Sequence, residues 1–205
     1  MAKEIAEYSD YIQYLMSDLP GCADAVITQY LQQAGRKLCE DTECWKDEID
    51  LNVVEDQTEY SLDTIDDTYI HKIVWVKVKS VTADNFDDCP KINPNFYKLN
   101  EDETLIFYTN YAPIVTITGG MRVKVVKRPE FGINELPTWI WDRHGEAIMS
   151  HCRWQLMKQP KKPWTDLQLA MDYRTEYYRC VSQAKMDINK QFKSVSLQAR
   201  GGGFF

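Results

Sequence analysis

Three groups of side chains in this 205-residue sequence could do chemistry by their type and spacing. His144, His151 and Cys152 fall in one stretch of helical character, and positions seven apart share a helix face. Two imidazoles and a thiolate are zinc ligands. A closed zinc site, however, takes about four ligands, usually supplied as short local pairs, so packing or capping is the stronger reading. Cys39 and Cys44 stand five apart with no second pair nearby and read as buried thiols. The third group is acidic: Glu40 to Asp67 holds twelve carboxylates against one base, Lys46. Two or three converging carboxylates could hold the catalytic metal of a nuclease. Yet Asp47, Glu48 and Asp50 alternate with apolar residues on a predicted strand, while Glu55, Asp56, Asp63, Asp66 and Asp67 sit in turns. A solvated acidic face is the stronger account. The sequence has no GxGxxG, P-loop, GxSxG or HExxH, and no helix follows Gly201-Gly202-Gly203 to make it a phosphate loop. No catalytic residue, metal or cofactor is expected.

The elements that would position these groups follow from periodicity. Tyr8 to Leu19 predicts a short helix with Tyr11, Ile12, Leu15 and Leu19 on one side, broken by Pro20-Gly21. Asp24 precedes a second helix, whose stripe Val26, Ile27, Tyr30, Leu31, Ala34 and Leu38 ends near Cys39. Strands then follow: Ile49, Leu51 and Val53 alternate with polar residues, and Thr58–Leu62, Lys72–Val81, Phe96–Leu99 and Thr104–Tyr108 are β-rich. Asn100 to Glu103 predicts a hairpin turn. Gly119-Gly120, between Ile114–Thr118 and Met121–Lys127, is the strongest two-residue hairpin signal. Helix returns with Pro137 in a first turn and runs to Met157. Pro160 to Pro163 stops it, and Thr165 is expected to cap a long helix reaching about Phe192. The expected fold class is α+β. An N-terminal helix hairpin (1–45) and two C-terminal helices (129–192) form a bundle, interrupted by a small antiparallel sheet or sandwich (46–128) and followed by an extended arm (193–205).

Composition bounds the rest. With 44% apolar and 12% aromatic residues the chain can build a core. No apolar run reaches the roughly 18 residues of a membrane span, and the N-terminus lacks the basic start and apolar stretch of a secretory signal. Six cysteines in such a chain are expected to be reduced thiols. A net charge of -7 argues against a general nucleic-acid binder. The segment from Lys185 to Phe205 has the opposite sign, four bases against Asp187 alone. Its two phenylalanines, Phe204 and Phe205, are costly to leave in water unless a partner buries them.

The order of short motifs resembles the head-to-tail adaptor, or ring, proteins of tailed bacteriophages. The likeness rests first on Leu19-Pro20-Gly21-Cys22 followed by Ala34, Leu38, Cys39, Thr42 and Trp45. It continues in Val54-Glu55-Asp56-Gln57-Thr58-Glu59-Tyr60-Ser61-Leu62, and then in Leu136-Pro137 opening a helix with Gly145, Glu146, Ala147 and Ile148. Lys162-Pro163-Trp164-Thr165-Asp166 completes it, before the long final helix. Together these span about Leu19 to Phe192.

The resemblance implies a non-enzymatic virion protein at the head–tail junction, assembled in the host cytoplasm. It would form a ring, usually of twelve copies, beneath the portal and line the DNA exit channel. Its partners would be the portal ring, neighbouring copies of itself, the next tail or neck protein, and double-stranded DNA in transit; no membrane is implied. The arm Phe192, Lys193, Val195, Leu197, Arg200, Gly201, Gly202, Gly203, Phe204 and Phe205 would dock on the portal. The acids Asp47, Glu48, Asp50, Glu55, Asp56, Asp63, Asp66 and Asp67 would face either the channel or the tail. The competing readings are another neck or tail ring component (a stopper or tail tube) and a carboxylate metal-dependent nuclease. Stoppers are mostly β, so the two flanking helical regions favour the adaptor.

Overall fold

The computed structural model describes residues 5–62, 68–80, 85–108 and 112–194. The fold is α+β, with helices and antiparallel sheets in two compact units. Both ends of the chain build the first unit, Met1–Cys44 with Phe131–Phe205; Trp45–Glu130 builds the second. In chain order the strands are β1 (Ile5–Glu7), β2 (Lys46–Val53), β3 (Glu59–Ser61), β4 (Thr68–Val78), β5 (Tyr97–Leu99), β6 (Thr104–Phe107), β7 (Ile117–Pro129) and β8 (Glu135–Pro137). The helices are α1 (Gln13–Met16), α2 (Asp24–Thr42), α3 (Thr138–Met157) and α4 (Leu167–Ser194).

In the helical unit, α2 buries Ile27, Leu31, Ala34, Leu38 and Cys39, one stripe at helical spacing. Its end is closed by Glu43 in the left-handed region (φ 55°), whose N–H donates to the Cys39 carbonyl at 2.9 Å. Cys39 and Cys44 then occupy the two positions that touch across such a cap, and their thiols hydrogen-bond to one another. α3 buries Ile140, Ala147, Ile148, His151, Cys152 and Leu156. α4 packs chiefly on α3 through Ala170, Tyr177, Val181 and Ala184, and the Tyr177 hydroxyl donates to Asp41 of α2 at 2.8 Å.

The helix expected over Tyr8–Leu19 is instead a 3₁₀ turn (Tyr8–Tyr11) followed by the single turn α1. A segment this short cannot sustain a helix by itself, and tertiary contacts decide its path. Tyr11 stacks on Trp141 with centroids 3.7 Å apart, and Tyr8 meets the same ring edge-on at 5.5 Å. Gly35 of α2 leaves room for the Tyr8 ring where a Cβ would collide with it. β1 pairs antiparallel with β8, Ala6 opposite Leu136, so the N-terminal segment lies as a strap along α3. Arg153 fastens its far end, donating to Asp18 at 2.7 Å and to the Tyr14 carbonyl at 2.8 Å.

Two assignments near helix starts are corrected. Pro137 ends β8 in an extended conformation and precedes α3, outside its first turn. The cap of α4 is Asp166, whose carboxylate accepts from the Leu169 N–H at 3.0 Å. Thr165 ties the preceding turn instead, donating to the Gln159 carbonyl at 2.5 Å and accepting from the Lys162 N–H at 2.9 Å. A hydroxyl one residue too early spans the turn better than it reaches the helix.

The second unit has two three-stranded antiparallel sheets, β2-β7-β4 and β3-β6-β5. They share one core that includes Val53, Val76, Met121 and Val123 from the first sheet and Tyr60, Tyr97, Leu105 and Phe107 from the second. The β5–β6 hairpin turns at 100–103 as the sequence predicts, with Glu103 at φ 61°. The hairpin expected at Gly119-Gly120 does not form: β7 runs through both glycines. Leu51 pairs with Met121 and Val53 with Ile117, so β7 has two surplus residues over that interval. Gly119 takes them up at φ 58°, its N–H donating to Asn52 Oδ1 at 2.8 Å. A bulge and a tight hairpin need the same positive φ, which is why the dipeptide alone misleads.

Candidate functional site

The predicted acidic face is built on β2, and register decides its charge. Glu48 lies opposite Lys124 of β7 and Asp50 opposite Arg122, while Asp47 sits diagonal to Lys127. Arg122 grips the Asp50 carboxylate with two bonds, 2.6 and 2.8 Å. That bond, with the guanidinium charge, holds the Asp50 carboxyl below the usual carboxylate range. Lys124 Nζ reaches Glu48 at 2.9 Å, and the buried Lys127 ammonium reaches Asp47 at 2.8 Å. Three of the eight predicted acids therefore belong to a ladder of alternating charge. Glu55 and Asp56 are exposed in the turn after β2, their N–H groups held by Thr116 Oγ1 and the Pro113 carbonyl. Asp63, Asp66 and Asp67 lie outside the described residues.

His151 and Cys152 are buried in the core of the helical unit, and His144 is half-buried two turns earlier on α3. His151 packs edge-on against Trp154 and Tyr177, with centroids 5.3 and 4.8 Å apart. Its Nδ1 is buried without a partner, and its Nε2 is 3.4 Å from Gln155 Nε2. Burial lowers its pKa to about 4, with Lys158 and Lys37 pushing the same way against the pull of Asp41. Cys152 is fully buried with Sγ 3.9 Å from the Ile27 carbonyl, and burial pushes its thiol up. Neutral imidazole and protonated thiol are packing groups here. Among the described residues no three His, Cys, Asp or Glu side chains gather as a metal site would require. All six cysteines are free thiols. No described helix is long and apolar enough to cross a membrane.

Two features of the helical unit were not read from the sequence. A cleft of about 630 Å³ lies between α3 and α4, walled by Trp139, Arg143, His144, Arg179 and Cys180 among others. Burial, then a hydrogen bond to Glu176, lifts the Cys180 thiol to about 11. It therefore stays protonated near neutrality and is a poor nucleophile. The second feature is a surplus of apolar side chains on α4: Leu167, Met171 and Tyr178 remain 65%, 51% and 47% exposed. The signal was present in the sequence, because α4 carries more large apolar residues than one buried stripe can use.

The predicted docking arm begins on α4, which carries Phe192 and Lys193 in its last turn. Val195, Leu197, Arg200, Gly201, Gly202, Gly203, Phe204 and Phe205 lie outside the described residues. No protein-family model matches the chain, and no curated protein shows significant similarity to it.

Proposed function

We propose that the chain is the repeating subunit of a head-to-tail adaptor ring in a tailed-phage virion, seated on the portal and open to passing DNA. The observation that carries this reading is the insertion topology. Both ends of the sequence build one helical unit, a β unit of 45–130 is inserted between them, and α4 leads straight into the arm. The motif order that resembles the adaptor family follows the same plan. The charge ladder supports it as well. Arg122, Lys124 and Lys127 are engaged by Asp50, Glu48 and Asp47, and DNA affinity grows with each base left to neutralise a phosphate. A strand face neutralised internally lets DNA pass without holding it.

In this reading the arm orders on the portal and buries Phe204 and Phe205, a gain on the order of 3–6 kcal/mol for two such side chains. Size-exclusion chromatography with light scattering, on the protein alone and with its portal, tests the proposal. The expected result is transfer onto the portal in about one copy per portal subunit, as a closed ring requires. Deleting Arg200–Phe205 should weaken that binding by about a hundredfold or more, from the same burial. A full-length chain that ignores the portal overturns the adaptor reading.

A further inference from the structure

The helical unit carries two exposed apolar surfaces of opposite charge. One is on the strap. Tyr14 is 57% and Met16 52% exposed. Tyr11 stacks on Trp141 with centroids 3.7 Å apart, and the exposed Asp10 and Asp142 are the chain neighbours of those two rings. The other surface is on α4. At about 100° per residue, Leu167, Met171 and Tyr178 fall within roughly 40° of one another on the helix, with Arg174 and Lys185 on the same flank.

Neighbouring residues of α3, about 100° apart round the helix, lead to the two surfaces. Arg153, which fastens the strap, lies over the Tyr173 ring at 5.1 Å. Trp154, the next residue, leads to the α4 surface, where Arg174 covers it at 5.6 Å and Tyr178 lies 6.1 Å away. A patch that is acidic and aromatic on one side, and one that is basic and apolar on the other, cannot pair with itself about a two-fold axis. Each complements the opposite patch of another copy, which is the head-to-tail geometry that closes a ring.

We propose that copies of this chain associate head to tail, the strap face (Tyr14, Met16, Asp10, Asp142) of one seating on the α4 flank (Leu167, Met171, Tyr178, Arg174, Lys185) of the next. This rests on the ring reading and names its interface. Opposite charges fix the register and exclude like faces, since like-charge juxtaposition is costly.

The test is a charge exchange. Asp10→Lys with Asp142→Lys reverses the strap face; Arg174→Glu with Lys185→Glu reverses the α4 flank. Light scattering reads association over a concentration series and on the portal, with circular dichroism confirming that each variant is folded. Each variant alone should associate about tenfold more weakly than the natural chain. Their equal mixture should recover natural association, because every contact in the alternating assembly then pairs opposite charges. The single changes Asp10→Lys and Lys185→Glu, both on exposed residues, repeat the exchange if a double variant fails to fold. A mixture no better than its components, or variants that associate as the natural chain does, overturns the interface. So does a natural chain that is monomeric at every concentration and on the portal. Portal binding that survives every reversal unchanged overturns the interface and leaves the adaptor reading standing. Charge-dependent association without portal binding does the reverse.

Discussion

His151 is the residue whose environment has the clearest consequence for stability. Its imidazole sits between Trp154 and Tyr177 with a buried, unpartnered Nδ1, and its pKa falls to about 4 from the ordinary 6.5. The unfolded chain therefore binds the proton that the fold refuses. Stability is unaffected above about pH 6.5, declines as the pH falls through the window between the two values, and bottoms out below about pH 4. The full difference is on the order of 3 kcal/mol. Urea unfolding at pH 7 and pH 4.5 should show a smaller decline for His151→Phe than for the natural chain; equal declines would assign the acid sensitivity elsewhere. The other residue-scale findings are contacts that spacing alone does not reveal. Cys39 and Cys44 meet because Glu43 turns left-handed between them, and Asp50 is neutralised by an arginine 72 positions away.

At the scale of elements, helix ends and strand irregularities carry the instructive differences. Asp166, not Thr165, caps α4. Asp166→Ala should cost about 1 kcal/mol, with Asp166→Ser recovering most of it. Denaturant midpoints followed by far-UV circular dichroism would show this, and an unchanged midpoint for the alanine variant would count against the cap. The stripes of α2, α3 and α4 were legible because helical period is a local property that burial then selects. The strap was less so: Tyr11, Ile12, Leu15 and Leu19 at helical spacing predict a helix, but the partners of this segment on α2 and α3 come from distant sequence and favour a bent path. Gly119-Gly120 announced a positive φ correctly and left its use undecided between a turn and a bulge.

For the whole molecule, charge is distributed by folding and not by sequence neighbourhood. The run of twelve acids from Glu40 to Asp67 suggested one negative surface. Instead β7 brings three cations to β2, and Lys37 binds Asp41 at 2.8 Å. With no three ligands converging among the described residues, EDTA should leave both the thermal unfolding midpoint and the assembled mass unchanged. A lowered midpoint or a dissociated assembly would reopen a metal role for the acids or for His144. The opposed patches of the helical unit likewise emerge only once the strap and α4 are both in place on α3.

The sequence by itself determined the α+β class, the order of helix, strand and helix, the hairpin at 100–103 and the apolar stripes. Each depends on chain-local period, turn chemistry or composition. Tertiary structure alone decided the strap, the bulge in β7 and the pairing of the acids. These depend on which distant side chains arrive at a given surface, and contact between residues dozens of positions apart leaves no periodic mark in the chain.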